Sequence, residues 1–348
     1  MHTEGKFARL RSAVSRFFHT RTGTFHSGTF SHGAGGRSYK LYVPQNYTHG
    51  RPAPLLVALH GCMQDPDTFA AGTRFNTLAD QYNFLVLYPQ QDGTNNAGKC
   101  WNWFILTNQA RGRGEPALLA GIIDHIASNY TVDSERVFIA GMSAGAAMAV
   151  IMGACYPDYF AALGVHSGLE YKAATTLVGA QVAMSRGGPD PARRGKLAYL
   201  SAGSAARVLP VIVFHGTRDE TVSSINGNQV IQQFASTDDY ADDGIANNSV
   251  SATPSSIESG QVPNGYSYTV STYSYQGNVL LKHYTIDGMG HAWSGGSAAP
   301  PATFTDPGGP NASSIMWNFF ADHPKKARMI TPASSRSCNS PEIPTCSH

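Results

Sequence analysis

Five short apolar runs, each closed by a turn, recur along the chain: LLVALHG (Leu55–Gly61), FLVLYP (Phe84–Pro89), RVFIAG (Arg136–Gly141), AALGVHSG (Ala161–Gly168) and PVIVFHG (Pro210–Gly216). None alternates apolar with polar residues, which is the form of a strand covered on both faces. Helical stretches separate them, over Thr68–Tyr82, Glu115–Tyr130, Ser143–Cys155 and Asn226–Ser236. In the second, Leu118, Ile122, Ile126 and Tyr130 repeat at a spacing of four, the signature of one buried helical face. Strand–helix alternation of this kind predicts an α/β fold with a mostly parallel central sheet and helices on both faces. Ser38–Pro44 alternates like an edge strand, Tyr266–Val270 and Val279–Ile286 read as late strands, and Ile315–Phe320 as a closing helix. Tyr171–Arg207 and Ser236–Gly265 break the pattern and are expected to be excursions, either part of a site's rim or variable surface loops. With no internal repeat and no linker, one domain is predicted over 38–322, with an extension at 1–37 and a tail at 323–348.

Composition narrows the function classes. Charged residues are 14% of the chain and the net charge is +2, which gives no support for a nucleic-acid partner. No window approaches the ~18 consecutive apolar residues of a membrane span. The N-terminal stretch is basic, but Arg11 and Arg16 interrupt any apolar run, so no secretory signal is read there. Phe7, Leu10, Val14 and Phe17 have the spacing of a short amphipathic helix. The five cysteines, Cys62, Cys100, Cys155, Cys338 and Cys346, are too few for a disulfide scaffold. Cys338 and Cys346 enclose a polar tail and can close a small loop in an oxidising compartment, leaving Cys155 as a buried thiol. No His, Cys or carboxylate cluster has metal-ligand spacing, so no metal and no cofactor is expected.

The segment that carries chemistry is Gly141-Met142-Ser143-Ala144-Gly145, which follows the run RVFIAG and opens a helix. A sharp strand-to-helix turn strains the backbone at its central residue and leaves room only for small neighbours, holding the serine hydroxyl clear of the sheet. The Ala144 N–H then points into the same space from a helix N-terminus, where developing negative charge is favoured. Serine needs a base, and this type of turn expects an acid and then a histidine further along the chain. HGTRDETV places Asp219 just past a strand end, and DGMGHAW does the same for His291. Asp219 orienting His291, with His291 deprotonating Ser143, is the expected arrangement. Asp287 is the rival acid, and His283, His166 and His215 the rival bases. His60-Gly61-Cys62 ends another strand, so the Cys62 N–H, joined by that of Met63, is the expected second oxyanion donor.

The segments HGCMQDPDTFAAGTRFNTLADQYNFLVLYPQQ, CWNWF, RGRGEPA, GMSAGAAMA, YPDYFAALGVHSGLEYKAA, HGTRDETV and GHAWSGG together resemble the poly(3-hydroxybutyrate) depolymerase-type esterases. These are relatives of feruloyl and acetylxylan esterases in the α/β-hydrolase superfamily. The resemblance runs over roughly residues 38–322. It implies an α/β-hydrolase fold, carboxylic-ester hydrolysis through a triad matching Ser143, Asp219 and His291, and no metal. It also implies a polyester or small-ester substrate and an extracellular setting, with the cytoplasm as the alternative in the absence of a read signal peptide. Secreted members commonly add a linker and a polymer-binding module, and this chain stops soon after the catalytic domain.

Aromatic residues gather in the same motifs. Trp101, Trp103 and Trp293 are candidates for packing against an aliphatic or phenolic ester, or else they fill core. Asn102 is a candidate for bonding a substrate carbonyl. A bridge between Cys62 and Cys100 would pin the oxyanion loop to the tryptophan loop; two reduced, buried thiols are the alternative. A feruloyl or acetylxylan ester is the alternative substrate, and a non-catalytic hydrolase-fold binding protein is the rival from another class. Oligomeric state is left open.

Overall fold

A computed structural model describes residues 22–33 and 35–325. In chain order its main strands are β1 (Thr24–His32), β2 (Gly35–Val43), β3 (Ala53–Leu59), β4 (Leu85–Pro89), β5 (Val132–Met142), β6 (Ala162–His166) and β7 (Val211–Gly216). They continue with β8 (Ser256–Gln261), β9 (Ser267–Tyr275) and β10 (Asn278–Ile286). All join one sheet in the order β1-β2-β4-β3-β5-β6-β7-β10-β9-β8. The strands from β4 to β10 in that order are parallel, and an antiparallel pair flanks each edge.

The apolar runs are continuous because each strand feeds two cores. Leu55, Val57 and Leu59 of β3 enter one core, and Leu56 and Ala58 enter the other. Val137 and Ile139 against Phe138 and Ala140 in β5 divide the same way, as do Val211 and Val213 against Ile212 and Phe214 in β7. This is the period-two geometry of a pleated strand with both faces buried. Over the first core lie α3 (Gly114–Asn129), α4 (Ala144–Cys155), α6 (Pro191–Ala202) and α7 (Ile225–Asp243). Over the second lie α1 (Pro66–Thr73), α2 (Phe75–Tyr82) and α8 (Ala312–Ala321). Between α4 and α6 the chain forms α5 (Leu177–Arg186). Among the described residues no helix is long and apolar enough to cross a membrane.

The structure departs from the sequence reading at several boundaries. The sheet begins at Thr24, inside the stretch assigned to an extension, because β1 pairs along its whole length with β2. The helix expected over 68–82 is two helices, broken where Arg74 adopts the left-handed conformation at φ 57°. The first is capped at both sides of its entry: Asp65 accepts from the Thr68 N–H, and Thr68 Oγ1 accepts from the Asp65 N–H. Tyr171–Arg207 contains α5 and α6, and the excursion from Ser236 begins as the second half of α7. The expected N-terminal amphipathic helix and the Cys338–Cys346 pair lie outside the described residues.

Candidate active site

Because the parallel strands all point one way, the connections that leave β3, β4, β5, β6, β7 and β10 share one edge of the sheet, the usual place for a site in such folds. Ser143 sits there between β5 and α4, with φ 56° and ψ −124°. A residue with a side chain rarely adopts that conformation, and holding it costs about 1–3 kcal/mol. The strain is imposed by packing on both sides. A Cβ at Gly141 would strike the Gly145 carbonyl, and one at Gly145 would strike the carbonyls of Leu59 and His60. The Ser143 N–H is fixed by the His166 carbonyl at 2.9 Å.

Asp219 lies in the connection after β7 and His291 in the one after β10. His291 Nδ1 is 2.7 Å from Asp219 Oδ2. Asp219 Oδ1 accepts from the N–H groups of Thr221 (3.0 Å) and Val222 (2.8 Å). Burial alone would raise this carboxyl, but hydrogen bonds from His215 and His291, the charge of His291 and the Val222 N–H hold it well below the usual carboxylate range. With Nδ1 committed to Asp219, His291 keeps Nε2 for a substrate-side role. Two of the rivals, Asp287 and His166, are engaged elsewhere. Asp287 is exposed and accepts from Thr217 Oγ1 at 3.2 Å. His166 is fully buried, with Nε2 accepting from the Ser294 N–H and Nδ1 against Ser167 Oγ. Burial first, then the neighbouring His215 and His291, push its imidazole down to about 3.

The loop after β3 closes over the serine. A Cβ on Gly61 would lie 3.5 Å from Ser143 Cβ. The Gly61 N–H is spent on Gln64 Oε1, and the Met63 N–H on the Gly98 carbonyl. That leaves the Cys62 N–H between them, and removes Met63 from the expected donors. The Ala144 N–H belongs to the first turn of α4, where no intrahelical acceptor exists. Cys62 and Cys100 are joined by a disulfide, and Cys155 is a buried thiol.

Residues 37–254 match the family model described as Esterase PHB depolymerase. The chain belongs to the PHB depolymerase esterase family. It is 35% identical over 76% of its length to poly(3-hydroxyalkanoate) depolymerase C of Paucimonas lemoignei, of which the match spans 60%. It is also 33% identical over 40% of its length to acetylxylan esterase A of Talaromyces purpureogenus, spanning 36% of that protein. The acetyl xylan esterase from Aspergillus awamori has the same fold, with a TM-score of 0.65, 22% identity, and coverage of 85% of this chain and 99% of that one. The fold is that of the α/β-hydrolase esterases.

In this PHB depolymerase-family chain the tryptophans do not offer their faces to a ligand. Trp101, Trp103 and Trp293 are 0%, 5% and 1% exposed. Trp101 Nε1 donates to the His60 carbonyl, and Trp293 stacks on His166 and donates to Ser313 Oγ. Trp101 is thereby tied to the end of β3, and Trp293 to β6 and α8. The Asn102 amide is likewise engaged, donating to Glu115 Oε1 and accepting from Asn96. The Asn102 amide and the indole N–H groups of Trp101 and Trp293 are thus spent on other residues of the protein, and Trp103 is nearly buried.

Sequence reasoning assigned no role to the residues that hold the oxyanion loop. His60 Nε2 accepts from the Gln91 N–H and Nδ1 donates to the Gly61 carbonyl; burial pushes this imidazole down to about 4. Glu115 takes Arg37, Gln91 and both the N–H and side chain of Asn102. His60 and Gln64 stand in HGCMQ and Glu115 in RGRGEPA, so the resemblance pointed at both segments without giving the contacts.

The bridge predicts a redox effect. Converting Cys100 to serine, or reducing the folded protein, removes the covalent tie between the Cys62 loop and the Trp101 loop and leaves the Met63 and Trp101 hydrogen bonds between them. We expect kcat on a short ester to fall by about tenfold or more with KM little changed, since loss of a whole oxyanion donor costs about 10²–10³. Steady-state kinetics before and after reduction and reoxidation read this directly; an unchanged kcat in fully reduced, folded protein would contradict it.

Proposed function

We propose that this protein is a serine carboxylic-ester hydrolase that cleaves poly- or oligo(3-hydroxybutyrate) esters through an acyl-enzyme. The observation that carries the reading is the 2.7 Å His291–Asp219 pair on the same sheet edge as the strained Ser143 turn. Ser143 Oγ adds to the ester carbonyl carbon while His291 Nε2 takes its proton. The Cys62 and Ala144 N–H groups receive the oxyanion. Collapse of the adduct expels the alcohol, which leaves with the proton from His291. Water, deprotonated by the same imidazole, then attacks the acyl-enzyme and releases the acid and Ser143. Asp219 keeps the imidazole in the required tautomer and stabilises its charged form.

The substrate class rests on the degree of likeness over a comparable extent: a depolymerase 35% identical over 76% of the chain, against 29% over 76% for the acetylxylan esterase of Coprinopsis cinerea and 26% over 73% for that of Emericella nidulans. The second reading, an acetyl or feruloyl ester, is supported by other relatives of those names, including feruloyl esterase B of Neurospora crassa at 34% identity over 37% of the chain. Turnover of 3-hydroxybutyrate oligomers, acetylated xylan, methyl ferulate and short p-nitrophenyl esters at equal enzyme concentration separates them. We expect the oligomers to give the highest kcat/KM; rapid turnover of methyl ferulate or acetylxylan alone would move the assignment. Labelling of Ser143 by a fluorophosphonate probe distinguishes either enzyme from a non-catalytic binding protein. The Cys62–Cys100 bridge supports an oxidising compartment as the place of action.

A further inference from the structure

A second imidazole is buried against the acid of the proposed triad. His215 is the penultimate residue of β7 and is wholly inaccessible. Its Nε2 lies 2.8 Å from the Val222 carbonyl and 3.4 Å from Asp219 Oδ2, the oxygen that also meets His291. Both facing atoms are acceptors, so Nε2 carries the hydrogen. Val222 closes the arrangement: its carbonyl accepts from His215 while its N–H donates to Asp219 Oδ1. The carboxylate is therefore gripped by two backbone N–H groups on one oxygen and two imidazoles on the other.

The far side of the ring has no such explanation in packing. His215 Nδ1 has no hydrogen-bond partner among the described residues, nor has His283 Nε2, one strand over on β10. A Cβ on Gly227 of α7 would come within 2.9 Å of each of these nitrogens, so only glycine lets α7 close over the two rings. A core that needed only volume here would be served by an apolar side chain with no unpaired nitrogen.

We propose that His215 is a positioning residue for ester hydrolysis: its Nε2–H holds the Asp219 carboxylate in place and draws part of its charge away from His291. The proposal rests on the reading of the site as a serine esterase. The other ionisable groups at this point are His166 from β6 and His283 from β10, while α7 contributes only Gly227 and Asn226. Burial, and then nearby His215, push His283 down to about 3, and His166 is held as low. Both are neutral across the working range, so neither of them accounts for a change in the acid limb of activity.

Replacing His215 by phenylalanine removes the donor and leaves Asp219 a stronger acceptor for the charged form of His291. The expected result is a fall in kcat/KM of about 10²-fold from misplacement of the acid, with the acid limb of the pH profile moved upward. His215→Gln, whose terminal N–H reaches the place of Nε2, should recover most of the rate and return the limb to its wild-type position. A side chain with only a packing role would lower the rate without moving the limb. Should His215→Phe fail to fold by near-UV circular dichroism, His215→Asn takes its place, since its amide stops at the position of Nδ1 and cannot reach Asp219. An unmoved limb in either folded variant, or a displaced limb in His215→Gln equal to that in the others, overturns the proposal. Wild-type protein in the same series separates the two claims: no ester turnover there would overturn the esterase reading, whereas normal wild-type turnover with unaffected variants overturns only the role of His215.

Discussion

Replacing Ser143 with alanine should remove ester turnover, by a factor of about 10⁴–10⁶, while leaving the protein folded. The substitution deletes one oxygen. The turn around it is held by the Ser143 N–H on the His166 carbonyl and by the close approach of Gly141 and Gly145 to backbone, and none of these uses the hydroxyl. Alanine tolerates φ 56° no better than serine, so the strain already present is kept and the melting temperature should scarcely move. Fluorophosphonate labelling should disappear with activity. A folded Ser143→Ala protein that retains more than a few per cent of wild-type kcat would show that the nucleophile lies elsewhere.

How far the chain announces its own fold follows from where side chains are buried. The parallel strands were legible because both faces of each are covered, which writes them as unbroken apolar runs. The edge strand β1 was not, since TFHSGTFSH has mostly exposed residues and reads as a polar segment. The break at Arg74 is marked only by Gly72 two residues earlier, which a helical pattern tolerates. The helix α5 hides for a related reason: Leu177, Val178 and Val182 are 61%, 71% and 52% exposed, so its apolar residues do not trace a buried stripe. Tertiary contacts, not local pattern, decide these elements.

At the site the division is similar. Ser143, Asp219 and His291 are legible because each stands in a short turn directly after an apolar strand, and parallel strands deliver such turns to one edge. The supports are harder to read. Glu115 serves residues 37, 91 and 102, and Gln64 bonds both Gly61 and the Thr303 carbonyl, contacts that span up to 239 residues of sequence. His215 was read only as a rival base, because its sequence position carries no trace of the turn that brings Asp219 back against it. The tryptophans stayed open between lining a cleft and filling core, because aromatic residues near a nucleophile are as easily props as walls, and only burial distinguishes them.

The choice of acid can be tested with two variants that differ in one atom each from the wild type. Asp219→Asn should lower kcat/KM by about 10⁴-fold. Its remaining oxygen can keep the Thr221 and Val222 N–H groups, so the loop survives, but the amide now presents a donor to His291 Nδ1. That favours the tautomer with hydrogen on Nε2, the nitrogen that must accept the Ser143 proton. Asp287→Asn should change the rate by less than about threefold, as expected of an exposed position away from the packed core. The two should also differ in stability. Asp219 is held well below its ordinary range, so its contribution is present above the unfolded carboxyl value and is lost as the pH falls toward the folded one. Thermal melts should therefore show Asp219→Asn less stable than wild type at neutral pH, with the gap narrowing in acid, and Asp287→Asn unchanged. If Asp287→Asn proves the more damaging to kcat/KM, the acid has been misassigned and the 2.7 Å contact at Asp219 serves only to place the ring.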